Sequence, residues 1–196
     1  MEAATAVMFG PYRLEARIAS GPAATVWRAR DTGHGDRTVA VKVFAPHLSH
    51  DPRFVAAFRS DAARFDALRE PHIVPIHSCG QIDGHLYLDM RLVEGPTFAD
   101  VVRCGPLDEY RCRTLVEQIE AATTSMVRGG LANRFIDPSD VVLTGSPENG
   151  EFVQVVGLGI GRPPVGSLST ARSMTPWLAD VDAQRTTAPR RRRPWF

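Results

Sequence analysis

Cysteine is scarce in this chain, with three residues in 196: Cys79, Cys104 and Cys112. Their number and irregular spacing exclude a disulfide framework, and no Cys-x-x-Cys pair points to zinc. Reduced, buried thiols in a cytosolic protein are the expectation. An excess of either charge is lacking too. The 23 Lys and Arg nearly balance 22 Asp and Glu, for a formal net charge of +1. So weak a field argues neither for nor against nucleic acid as a global partner, and no specific nucleic acid is expected. No apolar run approaches the roughly 18 residues that span a bilayer. The N-terminus has no charged segment ahead of an apolar core, so no signal peptide is expected and the expected location is cytoplasmic.

What is present is ordinary for a soluble globular protein: 43% hydrophobic and 23% charged residues. A chain of this length buries one good core, or one small lobe with part of another. Period-two alternation predicts strands within residues 9–18, 25–30 and 38–44, with turns at 19–24 and 31–36. Residues 51–68 predict a helix with Asp51 as N-cap, Pro52 at its first position, and Phe54, Phe58, Ala62 and Phe65 on one face. Strands are expected at 71–76 and 86–93, a short helix at 97–102, and a long one at 107–128 ended by Gly129-Gly130. The stripe Cys112, Leu115, Ile119, Ala122, Met126 along it is core packing. Two last strands, 141–143 and 152–156, follow a loop holding Asp137-Pro138. His72 and His77 are isolated and are expected to be structural.

Three stretches then carry a resemblance. Val39-Ala40-Val41-Lys42, Asn133-Arg134-Phe135-Ile136-Asp137-Pro138-Ser139-Asp140 and Gly157-Leu158-Gly159 come in the order and spacing of the strand lysine, catalytic loop and metal-binding turn of bacterial eukaryotic-type Ser/Thr protein kinases. The resemblance covers roughly residues 11–162. It implies an α+β fold. Residues 1–10 would be a lead and 11–93 an N-lobe with a five-stranded antiparallel sheet and one helix. Residues 94–162 would be a truncated, mainly helical C-lobe, and 163–196 a flexible Arg-rich tail. It also implies a nucleotide site at Gly21, Val26, Ala40, Lys42, Asp61, Met90 and Val142. Asp61 would stand for the helix Glu that pairs the lysine, Met90 for the gatekeeper, and Asp140 for a weak metal ligand.

The chain departs from the family where the chemistry lies. Phe135 stands at the catalytic Asp and Gly157 at the metal-binding Asp. Ala19, Gly21 and Ala24 occupy the three glycine positions of the phosphate-covering loop, and Pro22 removes an N–H there. The expected function is therefore that of a pseudokinase, a binding or regulatory module. No cofactor is required, ATP binding is weak, and magnesium is not expected to be held firmly. The alternatives are an active divergent Ser/Thr kinase and a decayed paralogue that needs a partner to complete its fold.

The expected partner is a protein, a genuine kinase or a second copy. The hydroxyl cluster Ser167, Ser169, Thr170, Ser173 and Thr175 falls where the family carries activation-loop phosphosites. A short helix is expected about Trp177. The run Arg190, Arg191, Arg192, Arg193 followed by Trp195 and Phe196 reads first as a solvated terminus and second as a membrane-surface contact.

Overall fold

In the computed structural model, residues 7–131 and 136–156 are described. Phe135, Gly157, the hydroxyl cluster, the segment about Trp177 and the Arg-rich tail lie outside them, so the expectations placed on those positions have no structural counterpart here.

The chain opens with β1 (Val7–Phe9), β2 (Tyr12–Ser20), β3 (Ala24–Asp31) and β4 (Arg37–Phe44). A short helix, α1 (Pro46–Ser49), leads to α2 (Pro52–Ala67). Then come β5 (Ile76–Ile82), β6 (His85–Arg91), α3 (Phe98–Arg103), α4 (Glu109–Arg128) and the hairpin β7 (Val141–Ser146) with β8 (Gly150–Val155). One antiparallel sheet runs in the order β1-β2-β3-β4-β6-β5, and β7-β8 forms a second. The larger sheet has one strand more than the periodicity predicts. Val7–Phe9 is too short to show a period, and Gly10 turns it back onto β2 with a φ of +54°.

The strand expected over 71–76 is a correction. Pro71 and Pro75 have no N–H to give a ladder, and β5 starts only at Ile76. The proline-bounded segment instead crosses the end of β8. Val74 N–H donates to the Val155 carbonyl at 3.1 Å, and Val155 N–H to that of His72 at 2.8 Å.

The helices start where capping chemistry predicts. The Asp51 carboxylate accepts from Arg53 N–H, Thr97 and Asp100 form a reciprocal capping box on α3, and Asp108 accepts from Arg111 N–H on α4. The aromatic face of α2 packs Phe58 and Phe65 under the sheet, with Phe44 edge-on to Phe58 at 5.4 Å between centroids. Met126, Ile119 and Leu115 of α4 are buried in the same cluster as Leu88 of β6 and Val141 of β7, so one apolar core joins sheet, helices and hairpin. A second, smaller core of Tyr12, Ala29, Val39 and Val41 fills the opposite face of the sheet. The even and odd residues of β4 thus serve two cores, as pleating requires.

The cysteines also depart from expectation. Cys112 is buried in α4, but Cys79 and Cys104 are exposed. Cys79 sits on an outward position of the edge strand β5, and Cys104 caps α3. His72 is structural, as expected: its Nδ1 meets the Val153 carbonyl at 3.0 Å and its ring stacks on Phe152. Among the described residues no helix is long and apolar enough to cross a membrane.

Candidate functional site

Between the large sheet and the β7–β8 hairpin lies a cleft of about 730 Å³, within the range of roughly 300–1,000 Å³ usual for small-ligand sites. Strand register builds its upper wall. Val26 of β3 pairs with Lys42 of β4, and Ala40 with Met90 of β6, which sets these side chains along one face of the sheet. Leu92 and Val93, just past the last β4–β6 pair, form the rear edge, and Val142 of β7 forms the floor.

The floor is held tightly. Leu143 N–H donates to the Pro96 carbonyl at 2.9 Å, and Thr97 bridges to Val142. At Gly95 the chain passes so close that a Cβ would lie 2.0 Å from the Leu143 oxygen, so only glycine fits.

Gly21, Val26, Ala40, Lys42, Met90 and Val142 all line this cleft, and so does Asp140. Asp61 does not; it is buried on α2, outside the wall. Lys42 is the only lysine in the chain, and its ammonium lies 5.5 Å from the centroid of the Phe44 ring. Asp137 accepts from Ser139 N–H and Oγ, capping the 3₁₀ turn Pro138–Asp140 that brings Asp140 to the wall. Among the described residues no cluster of three or more His, Cys, Asp or Glu could hold a metal ion.

Sequence reasoning missed Asp100, a second carboxylate on the cleft wall. Hydrogen bonds from Thr97 Oγ1 and N–H, and then from Arg103, hold it below the usual carboxylate range. Its capping-box spacing, Thr97-x-x-Asp100, was the available signal.

The sheet, α2, the segment 92–95 and the hairpin below it, enclosing one cleft with a strand lysine on its wall, find counterparts among known proteins. No family model matches the chain. The Ser/Thr-protein kinase PknE of Mycobacterium tuberculosis is 36% identical over 160 residues, 81% of this chain and 27% of that protein. PknH of the same species is 34% identical over 185 residues, 94% of this chain and 28% of PknH. Among solved structures, the M. tuberculosis PknI kinase domain superposes with a TM-score of 0.70 at 24% identity, over 83% of this chain and 65% of that domain.

The chain belongs to the bacterial Ser/Thr protein kinase family. It spans under a third of the kinases PknE and PknH and about two thirds of the PknI kinase domain. The antiparallel sheet and α2 form an N-lobe, residues 92–95 run from it as a hinge to α3, α4 and the β7–β8 hairpin, and the cleft lies between the sheet and the hairpin.

Proposed function

We propose that this chain is a catalytically impaired kinase-like protein that works as a binding or regulatory module. One observation carries it: Phe135 and Gly157 occupy the positions of the family's two aspartates. Phosphoryl transfer relies on one carboxylate to orient and accept the proton of the attacking hydroxyl and another to hold the metal on the phosphates. A phenyl ring accepts no proton, and a positioned base contributes roughly 10²- to 10⁴-fold. Glycine offers the metal no ligand, and the metal's charge supplies several kcal/mol. In the chain these positions adjoin Ile136, which is fully buried, and Val156, which lines the cleft. The nearby acids are poor replacements. Asp137 is committed to its 3₁₀ cap and Asp140 is one carboxylate where a metal clamp needs a set.

What the chain retains is a built cleft on a kinase scaffold, which supports recognition of a protein partner, a catalytically competent kinase or a second copy. The test is incubation of the purified chain with radiolabelled ATP, magnesium and a generic protein acceptor, with Lys42→Met as control. No incorporation above the control is expected. Magnesium-dependent, Lys42-dependent incorporation would replace this reading with that of an active divergent Ser/Thr kinase. Recovery of a stoichiometric partner in a pull-down separates the module from a decayed paralogue.

A further inference from the structure

Strands β2 to β6 all send polar side chains to one cluster on the face of the sheet away from the cleft. Met90 lines the cleft, and the pleat turns its neighbour Asp89 to the other side. Asp31, at the end of β3, and Asp89 are both fully buried. Their surroundings are unequal. Asp31 accepts from Arg37 Nε at 3.1 Å and Gly33 N–H at 3.1 Å, with Arg37 Nη2 at 3.0 Å and His34 Nδ1 at 2.9 Å. Asp89 has only Nη2 of the same guanidinium, at 3.2 Å, the Tyr12 hydroxyl at 3.3 Å and His77 Nδ1 at 3.3 Å. Each of these contacts to Asp89 is longer than each of those to Asp31.

The charge balance is short by one. Among the described residues, the ion pairs of Asp31 and Asp89 hold a single guanidinium between them, with His34 and His77 as the other bases. Arg37 engages Asp31 through two nitrogens, so the deficit falls on Asp89. A carboxylate taken out of water without its own counter-charge is costly, and a proton removes that cost. The neighbours of Asp89 suit the protonated form. Oδ2 accepts from Tyr12 and Arg37, and Oδ1 faces His77 Nδ1, as an acid O–H donating to an imidazole nitrogen requires. The Tyr12 hydroxyl also meets Ser78 Oγ at 3.0 Å, which carries the network on into β5. Burial raises the Asp89 carboxyl above its ordinary value, in line with this division of charge.

We propose that folding seats one proton on Asp89 and that this proton latches β2, the β3–β4 turn and β5 to β6, more firmly in mild acid than in base. The sign follows from linkage. In the unfolded chain Asp89 ionises in the ordinary carboxylate range, so above that range folding takes a proton up, and a further rise in pH strips it and leaves a buried carboxylate facing Asp31 across one shared cation. The latch belongs to the sheet, independent of phosphoryl transfer and of any occupant of the cleft.

Infrared spectroscopy of the full chain, titrated from about pH 4 to about pH 8, tests it. A protonated-carboxyl band that outlasts ionisation of the ordinary carboxylates, and that Asp89→Asn removes, is expected. A wild-type chain without such a band above about pH 5 overturns the proposal, and that result needs no variant. A band that Asp89→Asn retains overturns it as well. Calorimetric unfolding in two buffers of different ionisation enthalpy counts the protons. At about pH 5 the wild type should release more than Asp89→Asn, by up to about one proton, and equal release overturns the latch. The same comparison in a His77→Gln background should keep the difference, because the proton is the carboxyl's. Its disappearance there would place the proton on the imidazole and overturn the assignment to Asp89.

Discussion

Asp31 and Asp89, both fully buried, meet across a single guanidinium: Arg37 Nη2 lies 3.0 Å from one carboxylate and 3.2 Å from the other. His34 adds a contact to Asp31 at 2.9 Å, His77 one to Asp89 at 3.3 Å, and Tyr12 donates its hydroxyl to Asp89. The cluster pins the β3–β4 turn to β6 on the face of the sheet away from the cleft. Replacing Arg37 with Met leaves two buried carboxylates without their cation. A loss of about 3 kcal/mol is expected, at the low end for a broken buried pair because Arg37 is partly exposed. The loss should shrink on acidification, as the carboxylates protonate. Urea unfolding at neutral and mildly acidic pH checks both statements.

The two aspartates titrate in opposite senses. Burial alone would raise Asp31, but hydrogen bonds from His34 and Arg37 outweigh it and hold it below the usual range. Asp89 is raised by burial, against the pull of His77 and Arg37. Asp31 therefore stabilises the fold above the ordinary carboxylate pKa, and that contribution is lost as pH falls through its lowered value. Asp89 works the other way, its contribution declining as pH rises from the ordinary value through its raised one. Asp31→Asn is expected to reduce stability at neutral pH and to flatten the loss on acidification below about pH 4. Thermal melts of the variant and wild type across that window provide the comparison.

Arg111 of α4 grips Glu151 of β8 through two parallel hydrogen bonds of 2.6 and 2.7 Å. Beside it, Gln118 donates to the Glu151 carbonyl and accepts from Val153 N–H, so the helix satisfies the hairpin's edge. Arg111→Ala strands a carboxylate whose side chain is 8% exposed, and a loss of about 3 kcal/mol is expected. Arg111→Lys should recover only part of it, since an ammonium cannot reproduce the fork. Denaturant midpoints of the two variants test the order.

Gly95→Ala places a methyl group 2.0 Å from the Leu143 oxygen. The hinge and the floor of the cleft must then separate, at a cost of about 3 kcal/mol. The melting temperature should fall accordingly. A variant of native stability would overturn this account of the close approach.

Much of this was legible in the residues. Period-two runs located β2, β3, β4 and β6, and the Phe54-Phe58-Ala62-Phe65 face located α2, because burial on one side imposes those periods. Asp51 and Gly129 marked helix ends through capping chemistry. The proline-bounded segment 71–75 misled, since its apolar content matched a strand while its missing N–H groups forbade one. The Asp31–Arg37–Asp89 cluster was invisible. Each residue suits a turn or an exposed strand position, and only the antiparallel registers of β3, β4 and β6 bring them together. In the cleft, the expected lining positions came from the family resemblance, and the pleat of β4 places two of them, Ala40 and Lys42, on one face. Asp100 escaped because its one signal, the capping-box spacing from Thr97, speaks of a helix start and not of a cleft wall.

A core shared by both sides of the hinge has a thermodynamic consequence. Leu88, Ile119, Met126 and Val141 pack as one body, so residues 92–95 do not act as a tether between independently folding halves. The described residues should melt in a single cooperative step, and cleavage within 92–95 should leave fragments that stay associated or unfold together. A protease nick at the hinge would therefore report global unfolding of this molecule rather than release of a lobe.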